Sequence, residues 1–167
     1  MATVRAPLGV NAFIPAATNG AQSKVIAGTN FPVMSWAFDG TTAETIYAQF
    51  PLLNYGSGNI TLKLHWYADT ASSGDVVFES ALAAITPDID TQDVETKAFT
   101  TANTVTDTHL GTTGQRLHQT SITISNLDSA AANDEMWLRI KRLPADAADT
   151  MVGDALLVDA WLEYSDT

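Results

Sequence analysis

Strict alternation of apolar and polar residues marks the stretch from Asn59 to Ala68 as a β-strand. One face would carry Ile60, Leu62, Leu64 and Trp66, and the other Thr61, Lys63, His65 and Tyr67. This division follows because successive side chains of a strand point to opposite faces. Four large apolar groups on one face need an opposing layer of structure. The stretch therefore predicts the central strand of a β-sandwich.

The same alternation recurs at short spacing from residue 31 onward. Turn residues such as Asp39-Gly40 and Ser72-Ser73-Gly74 separate the alternating segments. The predicted strands are 32–38, 44–50, 59–68, 75–84, 96–106, 118–126, 135–143 and 154–164. Short strands at regular spacing predict an all-β sandwich or barrel. The one helical feature expected is a single turn over 128–134, where three alanines follow a possible Asp128 or Ser129 cap.

Residues 1–28 do not show the pattern of a regular element. Proline and glycine interrupt the segment repeatedly, and its apolar residues are scattered. We therefore expect an extended arm over 1–28 and a single sandwich domain over 29–167. The arm would lie either on its own sandwich or on a neighbouring subunit. Its candidate interface residues are Val4, Arg5, Leu8 and Phe13.

Composition narrows the possible functions. The chain has 167 residues, 46% of them hydrophobic, so it can bury a core without crosslinks. It has no cysteine, which excludes disulfides and thiolate chemistry. The net charge of −11 argues against nucleic acid or an anionic membrane as a partner. No apolar run approaches the roughly 20 residues that a membrane-spanning helix needs.

Several strand-and-turn stretches together resemble the jelly-roll structural domains of tailed-phage virions. The stretches are Phe50-Pro51-Leu52 with Tyr55-Gly56-Ser57-Gly58 and Ile60 to Trp66, then Gly74 to Glu79, Asn133 to Ile140, and Asp149 to Tyr164. Domains of this kind occur in capsid decoration (cement) proteins and in receptor-binding or tail-fibre modules. The resemblance covers about 31–164. It implies an eight-stranded antiparallel jelly roll, a place in the virion and a homotrimer, and it transfers no catalytic residue.

Side chains that could perform catalysis or bind a metal form no recognisable motif. His65, His109 and His118 are not at a spacing typical of metal ligands. Two acidic loops, Asp88/Asp90/Asp93 and Asp146/Asp149/Asp154, could offer oxygens to Ca²⁺, but neither has the pattern of an EF-hand. No nucleophile elbow or phosphate-binding loop is present. We expect a protein without enzymatic activity, metal or cofactor.

Two tryptophans fall on strand faces that should meet water. Trp137 alternates with Arg139 and Lys141, and Trp161 lies between Asp159 and Glu163 in the alternation. An outward tryptophan needs a cover. That cover could be the chain's own arm or a loop, a subunit interface, or a sugar stacked on the ring.

We therefore expect a structural protein of the phage virion, most simply a capsid decoration protein. It would be assembled in the host cytoplasm, bind the major capsid protein on the capsid surface, and stabilise the head by burying surface across capsomers. The alternative is a glycan-recognising, receptor-binding module of a tail fibre or spike. A sugar-binding or polysaccharide-active domain outside any virus is a third possibility.

Overall fold

Two antiparallel β-sheets face each other in the computed structural model, which describes residues 2–167. Over that range the strands are β1 Thr3–Gly9, β2 Phe13–Pro15, β3 Gln22–Ala27, β4 Pro32–Phe38, β5 Thr45–Pro51, β6 Ile60–Ala68, β7 Asp75–Ile85, β8 Asn103–Thr108, β9 His118–Ile124, β10 Glu135–Arg142 and β11 Ala155–Ser165. A 3-10 turn, Val10–Ala12, connects β1 to β2. No helix in residues 2–167 is long and apolar enough to cross a membrane.

The strands divide into a six-stranded and a five-stranded sheet. The six-stranded sheet has the order β3-β4-β11-β6-β9, and β1 also pairs with β11. The five-stranded sheet has the order β2-β5-β10-β7-β8. β4 and β1 pair with successive parts of the long strand β11, and β6 pairs with its other edge. The chain is therefore an all-β sandwich with a jelly-roll fold, as the sequence predicted.

The number of strands needs correction from eight to eleven. Each of the eight predicted strands has a counterpart, from β4 to β11. The three additional strands lie in the segment that was expected to be an arm. β1 pairs with β11, β2 with β5, and β3 with β4. Residues 3–27 thus contribute to both sheets, and the extended conformation expected for them is that of paired strands.

The core contains the residues that the alternation of β6 placed on one face. Ile60, Leu62, Leu64 and Trp66 are fully buried, whereas Lys63 on the other face is partly exposed. Opposing strands of the five-stranded sheet contribute residues such as Phe78, Leu82, Met136, Leu138 and Ile140 to the same core cluster. Burial of this apolar surface is the main force that holds the two sheets together.

One predicted strand face is divided by a β-bulge. The sequence placed Leu156, Val158, Ala160, Leu162 and Tyr164 on a single face of β11. The register of β11 against β6 shifts between Leu157 and Asp159, because one extra residue is inserted there. Leu157 therefore faces the core together with Ala160, and Leu156 and Val158 pack in a small cluster on the outer face.

Two further local predictions are corrected. The region 128–134 forms turns and no helical turn, because Asp128, Ser129 and Asn133 all have positive φ. The strand predicted over 96–106 is observed only as β8, Asn103–Thr108. Before β8 the chain crosses the sheet instead of pairing along it, and the backbone N–H of Thr100 donates to the Leu82 carbonyl at 3.0 Å.

A buried ion pair anchors the loop between β10 and β11. Arg142 is fully buried, and its guanidinium donates to both carboxylate oxygens of Asp149, at 3.0 and 2.8 Å. It also donates to the carbonyls of Phe38, Met151 and Gly153. All three guanidinium nitrogens thus have acceptors, which is the condition for burying this charge.

Candidate functional site

The two outward tryptophans lie on opposite faces of the sandwich. Trp137 is on the outer face of the five-stranded sheet, in β10, and Trp161 is on the outer face of the six-stranded sheet, in β11. Both are half-buried. The structure therefore does not bring them together, and each has to be judged by its own surroundings.

Trp161 lies in a cluster of charged side chains. Its indole N–H donates to Glu163 Oε1 at 3.0 Å, and its ring packs edge-on against His65 with centroids 4.7 Å apart. That indole N–H is the main cause that lowers the pKa of Glu163. Pro7 of β1 pairs with Trp161, so the N-terminal segment lies beside this ring as a strand. The partners of Trp161 are thus supplied by the chain itself.

Trp137 lies in an open cleft of about 390 Å³ at the beginning of β10. Its strand neighbours in the register are Gln49 of β5 and Ala83 of β7. The loop 86–94, which leaves β7 at Ile85, lines the cleft together with Trp137. The sequence predicts a loop of the chain itself as one possible cover for Trp137. Loop 86–94 lies beside the ring, but it leaves the cleft open to solvent.

Polar side chains line this tryptophan cleft. They are Gln49, Asp88, Asp90, Gln92 and Glu135. The amide of Gln49 donates to Glu135 Oε1 at 2.8 Å, which orients both groups at the strand ends. Asp90 Oδ2 accepts from the backbone N–H of Thr86 at 2.9 Å, which closes the loop on itself. An aromatic ring and fixed carboxylate and amide groups therefore meet in one concave site.

A third surface was not predicted from the sequence. On the outer face of the six-stranded sheet an apolar groove of about 550 Å³ runs over Tyr67, with Val33 and Val158 among its lining residues. Phe31 and Leu117 border it and remain 69% and 57% exposed. Its lining comes from four strands and three connections, so no single stretch of sequence carries a signal for it.

The candidate arm residues have divergent environments. Leu8 and Phe13 are only 3% and 4% exposed and belong to the core, so their side chains are not available to a partner. This corrects their assignment as interface residues, and the reason is the strand pairing of β1 and β2. Val4 packs against the core from its edge. Arg5 is exposed and pairs with Glu163 at 2.9 Å.

The histidines serve structural contacts. His118 stacks on Trp66 with centroids 4.2 Å apart, and burial lowers the pKa of His118. His109 accepts from the backbone N–H of Gly111 at Nδ1 and donates from Nε2 to the Gly114 carbonyl. In residues 2–167 no group of three or more His, Asp or Glu side chains is placed to hold a metal ion.

Comparison with known proteins gives the fold. No protein-family model and no curated protein matches the sequence. Among solved structures, the family 11 carbohydrate-binding module from Clostridium thermocellum, in complex with a β-1,3-1,4-mixed-linked tetrasaccharide, is similar with a TM-score of 0.53 and 13% identity. The match covers 97% of this chain and 96% of that one.

A second structure of a family 11 module, from a cellulosomal cellulase of the same organism, gives a TM-score of 0.50 at 9% identity over 96% and 95% of the two chains. At these identities the likeness establishes a jelly-roll β-sandwich of the kind that carbohydrate-binding modules adopt.

Proposed function

We propose that this protein is a non-catalytic glycan-recognising module, of the kind that a tail fibre or spike of a tailed phage presents to its host. The observation that carries the proposal is the tryptophan cleft. Sugar rings have apolar faces that stack on indole rings, and their hydroxyls need fixed acceptors and donors close by. Trp137 offers the first, and Gln49, Gln92 and Glu135 offer the second.

The fold supports the proposal as a scaffold. One similar structure is described as holding a mixed-linked tetrasaccharide on a sandwich of the same kind. Because a shared fold does not imply a shared function, the proposal rests on the cleft of this chain. The place in a virion rests on the resemblance of the strand-and-turn stretches.

Calorimetric titration with soluble polysaccharides, beginning with mixed-linked β-glucan oligosaccharides, tests the proposal. We expect Trp137→Ala to weaken binding about 10-fold or more, because the stacking surface is lost. Trp161→Ala is the matched control, since it removes an outward tryptophan from the opposite face and should leave binding unchanged. Equal affinity of the Trp137→Ala variant, or no binding by any glycan, would contradict the proposal.

A second candidate is the capsid decoration protein, and the apolar groove favours it. An exposed phenylalanine and leucine around an apolar floor are typical of a surface that a protein partner covers. In this proposal the groove is buried against a neighbouring copy in a homotrimer. The trimer then binds the major capsid protein on the outside of a head that assembles in the host cytoplasm.

Light scattering tests this second candidate. We expect a trimer mass for the unmodified protein and a smaller mass for Phe31→Ser. Ile89→Ser is the control, because Ile89 is equally exposed but lies in the loop on the other face. A monomer at every concentration, together with the absence of this protein from purified particles, would exclude the decoration role.

A further inference from the structure

The tryptophan cleft continues into a second, more enclosed space. This inner chamber has a volume of about 260 Å³ and shares Thr86, Asp90 and Gln92 with the cleft. Its remaining lining residues are Lys97, Asp128, Ser129 and Asp134. Asp134 immediately precedes β10, and Trp137 is three residues further on, so their Cα atoms are about 10 Å apart at the rise of a strand.

One carboxylate oxygen of Asp134, which lines the inner chamber, has no hydrogen-bond donor. The residue is only 1% exposed, and its Oδ2 accepts from the backbone N–H of Ala131 at 2.7 Å. Its Oδ1 is buried and has no hydrogen-bond partner. A buried acceptor without a donor is costly, and it is rare in folded proteins. A donor that enters the inner chamber would relieve this cost.

Negatively charged side chains outnumber positively charged ones along the cleft and the chamber. The carboxylates lining the two spaces are Asp88, Asp90, Asp128, Asp134 and Glu135. Against them the chamber has one ammonium group, that of Lys97, which is already paired with Asp128 at 2.7 Å and also contacts Gln92. The arrangement therefore favours a ligand that brings positive charge and hydrogen-bond donors, and it repels an anionic one.

We propose that the ligand is a glycan chain containing amino sugars, with one ring stacked on Trp137 and the ammonium group of a neighbouring residue in the inner chamber beside Asp134. This inference rests on the proposed glycan-binding function and names the substrate class of the same site. A single ring on Trp137 does not span the distance to Asp134, so the shortest good ligand is an oligosaccharide. Uronic acid polymers are excluded by the carboxylates.

The test is a set of calorimetric titrations at mildly acidic pH. The ligands are a glucosamine oligomer, its fully N-acetylated counterpart, a neutral mixed-linked β-glucan oligosaccharide and a polygalacturonate. We expect the glucosamine oligomer to bind about 10-fold or more tightly than the acetylated one, because its ammonium group makes charge-assisted hydrogen bonds. The polygalacturonate should not bind.

Two variants connect this preference to the chamber. Asp134→Asn should reduce the preference for the glucosamine oligomer and leave the affinity for the neutral oligosaccharide unchanged. Since a change at a buried residue can impair folding, Asp88→Asn serves as a second variant at the rim. Asp88 has φ 64°, a conformation that asparagine adopts readily, so this variant should fold and lose part of the preference.

The outcomes separate the two proposals. If neutral and N-acetylated glycans bind with Trp137 dependence but the amine gives no advantage, the substrate class is wrong and glycan recognition stands. If no glycan binds, both the proposed glycan recognition and the proposed substrate class are wrong. If CaCl₂ alone raises the melting temperature and abolishes any effect of the glucosamine oligomer, the inner chamber is a cation site and the assignment of an amino sugar is overturned.

Discussion

Leu64 and Lys63 are neighbours in β6 whose side chains point to opposite faces of the six-stranded sheet. Leu64 is fully buried, and Lys63 donates to Ser121 Oγ at 2.8 Å on the outer face. We expect Leu64→Ala to lower the free energy of unfolding by about 2–5 kcal/mol through lost burial and a residual cavity. Lys63→Ala should change it by less than about 0.5 kcal/mol. Urea denaturation of both variants measures the difference, and equal losses would contradict the register.

We expect His118 to make the free energy of unfolding depend on pH. Burial lowers the pKa of its imidazole, and the nearby Asp107 carboxylate only partly offsets this effect. The unfolded chain, with an ordinary histidine pKa of about 6.5, therefore binds a proton before the folded chain does. The stabilising contribution of neutral His118 is present above that pH and is lost as the pH falls below it.

The urea concentration at the midpoint of unfolding should accordingly decrease as the pH is lowered from about 7.5 to about 5.5, the range in which histidine titrates. His118→Gln should make this decline shallower. His65→Gln is the matched control, because His65 lies on the outer face beside Trp161 and should leave the slope as it is. A slope that is the same with and without His118 would show that its burial does not govern the pH dependence.

At the scale of elements, β1 shows why the N-terminal segment was hard to predict. Pro7 in the middle of a strand argues against regular pairing, since proline cannot donate to a ladder. β1, however, pairs only with β11, so its other edge needs no donor at that position. In addition, Leu8 is the single buried residue of β1, and one residue cannot reveal a period of two.

A pair of variants in β1 tests its place in the sandwich. Leu8→Ala should lower the free energy of unfolding by about 2–5 kcal/mol, because Leu8 is buried in the core. Arg5→Ala should cost less than about 1 kcal/mol, since its ion pair with Glu163 is solvent-exposed. Chemical denaturation provides the measurement. If neither change affects stability, β1 is a detachable arm.

Strands β4 to β11 were predictable to different degrees. In β6, β9 and β10 the buried and exposed residues alternate as the sequence does, because one face of each strand meets the core. The bulge in β11 does not interrupt the alternation of apolar residues in the sequence. The change of face at Leu157 could therefore not be predicted from that pattern. Likewise, Trp137 could be recognised as an outward aromatic residue, but no local pattern shows that loop 86–94 lies beside it.

The loop that connects β10 and β11 depends on the Arg142–Asp149 pair. Arg142→Met should destabilise the protein by about 3–5 kcal/mol, because Asp149 would keep a buried charge without its partner. The double variant Arg142→Met/Asp149→Leu should recover part of this loss, since neither charge remains. Comparing the thermal or urea transitions of the two variants checks this. A harmless Arg142→Met substitution would mean that the loop is held by other contacts.

For the molecule as a whole, the two outer faces differ in chemistry. The five-stranded sheet presents an acidic, polar cleft around Trp137, and the six-stranded sheet presents the apolar groove over Tyr67. Under the two proposals, the saccharide would bind on one side and the protein on the other. The two proposals for function therefore concern separate surfaces, and variants of one face leave the other intact.

The pairing of β1 with β11 also determines when folding of the sandwich can be completed during synthesis. Gly9 lies opposite Asp159, and Thr3 lies opposite Ser165, so the first strand pairs only with the last. The 150 positions that separate Gly9 from Asp159 take about 8–30 s to translate at about 5–20 residues per second. During synthesis β1 therefore lacks its partner strand until β11 has been made. Because β4 and β6 also pair with β11, the six-stranded sheet can be completed only after β11 has been synthesised.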